Sequence, residues 1–339
     1  MTVQRLHSNL QKFVNAINNF PISEAQSVFH DVDKIISLGQ VKRLKEMFGE
    51  KEYATILELG RQAQEGVNLC KRGNLEKGHL KMQSANQTAM KLSENAYQYF
   101  HIYYLSCVAY YHFKQKDYKI ALASTWQEIE EIEQFEAKGI QTLHYRRSGG
   151  RMLNIVKVLF VSGQTEVATK LLLGIFLYVL NGDSSGISKA NWNQEKLNII
   201  PYVRQRYIDI IFQQIIEISL DFQGLDEAYF YQNIFSKIPS FEVTNNNLAI
   251  INNWLYLQKM YHDGLKNDFI LNTIHFCEEP LDSSFDILKL SLISQVIIMA
   301  KRTNLNGKII ENWEVSIRNY IHNQLRVNSI LKEKVYRLI

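Results

Sequence analysis

Three short phrases punctuate this chain at the same point of a repeating pattern, and they constrain its fold more than any other feature. They read Lys71-Arg72-Gly73-Asn74-Leu75-Glu76-Lys77-Gly78, Lys114-Gln115-Lys116-Asp117-Tyr118-Lys119-Ile120-Ala121 and Val161-Ser162-Gly163-Gln164-Thr165-Glu166-Val167-Ala168. Each follows a stretch with apolar residues at helical spacing and leads into another. Each holds a small or polar breaker, a polar residue, then Leu, Tyr or Thr, with a small residue three places on. A breaker between two amphipathic stretches turns a helix back on itself. Used repeatedly, it stacks helix pairs.

Composition supports long helices. The 339 residues include only four prolines and 16 glycines, so few residues interrupt an element. No run of strand-like alternation stands out, and the fold expected is all-α. Hydrophobic residues at 46% and charged residues at 21% are ordinary globular usage.

Three regions follow from the pattern. Residues 1–50 read as N-terminal capping helices. There Val3, Leu6, Leu10, Phe13, Val14 and Ile17 form one stripe, Pro21 breaks it, and Ser23 is placed to cap a helix ending near Leu38-Gly39, before a short segment from Val41 to Phe48. Residues 51–240 read as helix hairpins: 51–71 with 75–92, 96–115 with 118–136, 150–161 with 165–180, and a fourth pair turning at Gln223-Gly224. Residues 241–339 read as helical hairpins that continue or cap the stack. The most apolar run, Leu171 to Leu180, is too short to span a bilayer and is expected to be buried. The N-terminus has no signal-peptide core. Cys70, Cys107 and Cys277 are odd in number and dispersed, which fits free thiols in a reducing compartment. The expected location is the cytoplasm, away from membranes.

The turn phrases and their neighbours resemble tetratricopeptide repeats. Gly66, Leu69, Gly73, Asn74, Leu75, Gly78 and Ala85 fall in that family's register. So do Ala109, Asp117, Tyr118 and Ala121, then Val156, Leu159, Gly163 and Ala168, with Leu225 and Ala228 as a weaker fourth copy. The turns at Gly73, Lys116 and Gly163 are spaced by 43 and 47 residues, against about 34 in the regular family. The resemblance covers roughly residues 55–240. It implies a right-handed superhelix of stacked antiparallel hairpins whose first helices line a concave surface. Carried onto this chain, the family's inward positions are Lys71, Tyr103, Tyr110, Lys114, Asn154, Lys157, Gln213, Gln214 and Glu217. Their amides and phenols suit an extended peptide. The paired Lys and Asn that chaperone adaptors use to clamp a carboxylate are not evident.

Motifs for chemistry are missing. The nine histidines are scattered, with no His-x-x-x-His pair, so no metal is expected. No nucleophile elbow is present. Glu128, Glu130, Glu131 and Glu133 read as a solvated helix face beside Ile129, Ile132 and Phe135. Ser148-Gly149-Gly150-Arg151 lacks the ending of a phosphate loop, but Arg146, Arg147 and Arg151 near a helix start form an anion-binding candidate. With Lys157, Arg204 and Arg206, and with Tyr145, Tyr202 and Tyr207 between them, they have the composition of a nucleic-acid groove. A net charge of +4 over the whole chain neither shows nor excludes such a groove, and Arg and Tyr are equally the residues enriched at protein interfaces. The sequence therefore reads as a non-catalytic, cofactor-free scaffold that binds a protein or peptide. The second reading is a regulatory sensor taking a small peptide or nucleic acid at residues 146–151.

Overall fold

The computed structural model describes residues 3–23, 28–140, 150–187, 192, 197, 201–221, 227–302 and 307–338. Among these the chain is all-helical, with no β-strand. In order the helices are α1 (Val3–Ile17), α2 (Val28–Lys71), α3 (Leu75–Ala89), α4 (Glu94–Lys114), α5 (Tyr118–Ala137), α6 (Met152–Val161), α7 (Thr165–Asn181), α8 (Pro201–Asp221), α9 (Glu227–Asn233), α10 (Asn246–His262), α11 (Lys266–Glu278), α12 (Asp286–Lys301), α13 (Gly307–Asn323) and α14 (Ser329–Tyr336).

The three turn phrases share one geometry. Gly73, Lys116 and Gly163 occupy the left-handed region, with φ of 85°, 65° and 80°. The next residue in each case has φ between −84° and −88° and ψ between 51° and 72°. The N–H groups of Asn74, Asp117 and Gln164 donate to the carbonyls of Leu69, His112 and Leu159, and those of the left-handed residues donate to Cys70, Phe113 and Phe160. This is the Schellman closure, which satisfies carbonyls a helix end would otherwise leave bare. Asp117 adds a cap by accepting from the Ile120 N–H. A fourth turn of the same geometry lies at Gly264, with φ 76° and the Leu265 N–H on Met260. The turn expected at Gln223-Gly224 lies outside the described residues.

Lys116 holds without strain relief the conformation that glycine holds at the sister turns. Lys116→Gly is expected to stabilise the protein by about 1 kcal/mol, because a side chain in the left-handed region costs roughly 1–2 kcal/mol. Urea unfolding of the two proteins checks it. No change, or a loss, would show that the lysine's contacts offset its backbone.

Two compact units partition the chain, residues 29–208 and residues 1–28 with 209–339. These divisions differ from the ones expected at 50 and 240. Within the first unit, α2 runs through the positions expected to separate three helices and kinks only at Gly49, with φ 75° and ψ 158°. Gly39 stays helical, since glycine inside a helix weakens it by about 1 kcal/mol without ending it. Successive helices α3 to α7 pack each on the next. The core joins Leu59, Ala63, Met82, Phe100, Ile132 and Phe135. At the first hairpin, α2 and α3 approach backbone to backbone. A Cβ on Gly66 would stand 2.7 Å from the Gly78 carbonyl, and one on Gly78 would stand 2.6 Å from the Gly66 carbonyl and 2.5 Å from Cys70 Sγ. Ala121 and Ala168, both fully buried, occupy the Gly78 position of the next two hairpins. The Leu171–Leu180 run lies in α7, with Leu172, Ile175, Phe176, Tyr178 and Val179 fully buried.

In the second unit, α12 is the central helix, and fourteen of its residues are buried. The stretch Ser283–Lys301 is long and apolar enough to cross a membrane, and 83% of it is buried inside the unit. The buried polar side chains of α12 are paired. Trp254 Nε1 donates to Ser291 Oγ at 3.0 Å, and the Gln258 and Gln295 amides bond reciprocally. Leu10, Phe13, Val14 and Ile17 of the apolar stripe expected on α1 are buried, and α1 packs on α11 and α13.

Candidate functional site

The first unit offers one continuous helix face. On α4, Tyr99, Tyr103, Ser106, Tyr110 and Phe113 recur at intervals of four and three, which places them on a single stripe. All five are half-buried. On α2 the matching stripe is Leu57, Gly60, Arg61, Gln64, Asn68 and Lys71, and on α6 it is Asn154, Lys157 and Val158. These are the first helices of successive hairpins.

Two cavities open along the α4 stripe. The larger, about 510 Å³, lies between α2 and α4 and is lined by Leu57, Gly60, Gln64, Asn68, Tyr99 and Tyr103 among others. Leu57 is 55% exposed there. Tyr103 donates its hydroxyl to Gln64 Oε1 at 2.7 Å. A Cβ on Gly60 would meet only the Tyr103 ring, at 3.8 Å, so the glycine leaves space open rather than permitting a close approach. The rim is charge-neutralised: Arg61 pairs with Glu58 and Glu65, and Lys81 with Glu65. The Arg61 and Gln62 hydrogen bonds hold the Glu58 carboxyl down at about 2.

The smaller cavity, about 200 Å³, lies between α4, α5 and α6. Ala109, Tyr110, Phe113 and Val158 give it apolar walls, and Thr125, Asn154 and Lys157 give it polar ones. Glu128 also lines it and is fully buried, bonded by Arg151 Nε. The solvated face expected for Glu128 is thus corrected. The α5 stripe that packs inward is Ala121, Thr125, Glu128, Ile132 and Phe135, and Glu128 falls on it at the same four-and-three spacing. Glu131 is also drawn in, 2.9 Å from His101 Nδ1, while Glu130 stays exposed.

At Tyr110, in the wall of the smaller cavity, Lys71 of α2 and Lys114 of α4 converge. Their ammonium groups lie 5.9 and 5.8 Å from its ring centroid. Both lysines are exposed, and among the described residues neither has an ion pair.

The sequence candidates divide accordingly. Lys71, Tyr103, Tyr110, Lys114, Asn154 and Lys157 lie on this face. Gln213, Gln214 and Glu217 belong to the other unit, where they line a polar cavity of about 300 Å³ with Ser283, Ser284 and Arg326. Arg146 and Arg147 lie outside the described residues, and the Arg151 guanidinium is taken up by Glu128. Arg204 donates to the Val179 and Leu180 carbonyls at the end of α7. Leu57, Gly60, Gln64, Asn68, Tyr99 and Ser106 escape sequence reasoning; stepping back by threes and fours from Lys71 and Tyr110 would have found them. Among the described residues no group of three or more His, Cys, Asp or Glu could hold a metal. The three cysteines are buried free thiols, and burial pushes Cys277 up to about 12.

Comparison with protein-family models, with curated proteins and with solved structures returns no match.

Proposed function

We propose that residues 29–208 form a tetratricopeptide-like right-handed superhelix of antiparallel hairpins that binds an extended peptide segment of a protein partner and performs no chemistry on it. The observation that supports this is the single α4 stripe, Tyr99 to Phe113, running through both cavities with first helices on either side. Half-buried tyrosines supply large contact area at small entropic loss, and Gln64, Asn68 and Asn154 can bond a peptide backbone. The buried free thiols suit a cytoplasmic protein.

Selection from a random library of twelve-residue peptides tests the reading. Peptides are expected to be recovered on the wild-type protein. Gly60→Leu, which projects into the larger cavity, should remove their binding while leaving the helical circular dichroism unchanged. Recovery of the same peptides on both proteins would move the binding surface elsewhere.

A further inference from the structure

We infer that the bound segment is acidic: a carboxylate side chain lies between Lys71 and Lys114 beside the Tyr110 ring, next to an apolar side chain in the smaller cavity. This rests on the peptide-binding reading above and adds the chemistry of the partner.

Charge is unevenly placed along the face. Around the larger cavity every charge is answered, Glu58 and Glu65 by Arg61 and Lys81. At the hairpin-turn end the balance breaks. Lys71 and Arg72 close α2, Lys114 and Lys116 close α4, and all four are exposed. Among the described residues none of them has an ion pair. Of the acidic residues at that end, Asp117 caps the Ile120 N–H, and Glu76 stands exposed in the first turn of α3. Cations at helix C-termini are favoured by the helix dipole, which accounts for lysines ending α2 and α4. It does not account for Lys71, on α2, reaching the same Tyr110 ring that Lys114 meets from one turn along α4. That convergence leaves two ammonium groups without a carboxylate at the ring of Tyr110, which itself lines the cavity walled by Ala109, Phe113 and Val158. An anion placed between two cations beside a partly desolvated ring gains more than at an open surface, where screening is strong. The cavity's roughly 200 Å³ admits one aliphatic or aromatic side chain and not a longer apolar run. The segment that fits is therefore an Asp or Glu adjoining a single apolar anchor.

The same library selection, repeated on three proteins, tests this. On the wild type, Asp and Glu should be enriched at least twofold over the input. On Lys71→Gln/Lys114→Gln the enrichment should vanish. On Lys45→Gln/Lys91→Gln, which removes two positive charges away from the face, it should persist. The best acidic peptide, followed by fluorescence anisotropy, should bind about tenfold more weakly to the Lys71→Gln/Lys114→Gln protein, and about tenfold more weakly in 300 mM than in 50 mM NaCl. Peptides without acid enrichment that still depend on Gly60 would overturn the inference and leave the groove standing. Enrichment that disappears equally in both double variants would overturn it as a net-charge effect. Failure to recover any peptide would overturn both readings.

Discussion

Gly78→Ala is expected to lose about 3 kcal/mol or more of stability. Overpacking a core costs roughly 1–3 kcal/mol where side chains can move aside. Here one obstacle is backbone. The new Cβ would stand 2.6 Å from the Gly66 carbonyl and 2.5 Å from Cys70 Sγ, and the Cys70 backbone N is also near, at 3.2 Å. Rotating a side chain relieves only the sulfur, so α2 and α3 must part. Parting them opens the buried cluster of Ala63, Met82 and Ala85. The internal control is Gly60→Ala on the same α2 helix. Its Cβ meets only the Tyr103 ring at 3.8 Å, and alanine gains about 1 kcal/mol of helix propensity over glycine. Urea denaturation should therefore move the two variants in opposite directions. Equal stabilities would contradict the backbone contact.

Asp286→Ala is expected to cost about 3 kcal/mol, through loss of a buried junction in the other unit. Asp286 is fully buried and joins three distant segments. Ser23 donates its hydroxyl to one carboxylate oxygen, and the Arg326 N–H donates to the other at 2.7 Å. Alanine leaves both donors unanswered. Asp286→Asn keeps one acceptor oxygen and should lose about half as much. The pH dependence has a defined sign. Burial raises the Asp286 carboxyl above its ordinary range, and the Ser23 and Arg326 hydrogen bonds only partly oppose this. A raised carboxyl binds its proton more tightly folded than unfolded, so its contribution is full below about pH 4 and declines as pH rises through the folded value. The advantage of the wild type over Asp286→Asn should accordingly narrow in chemical denaturation as pH rises above the ordinary carboxylate range. A gap that widens with pH would mean that the carboxylate, not the acid, is what the site favours.

What the sequence revealed of this fold depended on how local the cause was. The turns were legible because a left-handed residue between two amphipathic stretches has few substitutes, and even Lys116 was betrayed by the Asp117 cap beside it. The turn at Gly264 has the same geometry but hides its phrase, since Phe269 replaces the small residue found at Gly78, Ala121 and Ala168. Gly39 and Gly49 look equivalent in sequence, yet only Gly49 kinks α2. The α1 stripe announced that it would be buried and could not announce α11 and α13 as its cover, because periodicity names a face and never its partner. Glu128 shows the converse. A run of glutamates suggests solvent, while the spacing from Ala121 to Phe135 carries this one inward. Six of the nine proposed contact residues came to one face because the hairpin register placed them. Gln213, Gln214 and Glu217 were projected through a turn that lies outside the described residues, and they belong to the other compact unit.

The proposed peptide site is the first-helix face, from Leu57 to Val158. Its most direct test is titration calorimetry of the tightest selected peptide against the wild type and Gly60→Leu. The groove predicts an affinity at least a hundredfold weaker for the variant, on the order of 3 kcal/mol. Equal affinity for the two proteins would contradict it.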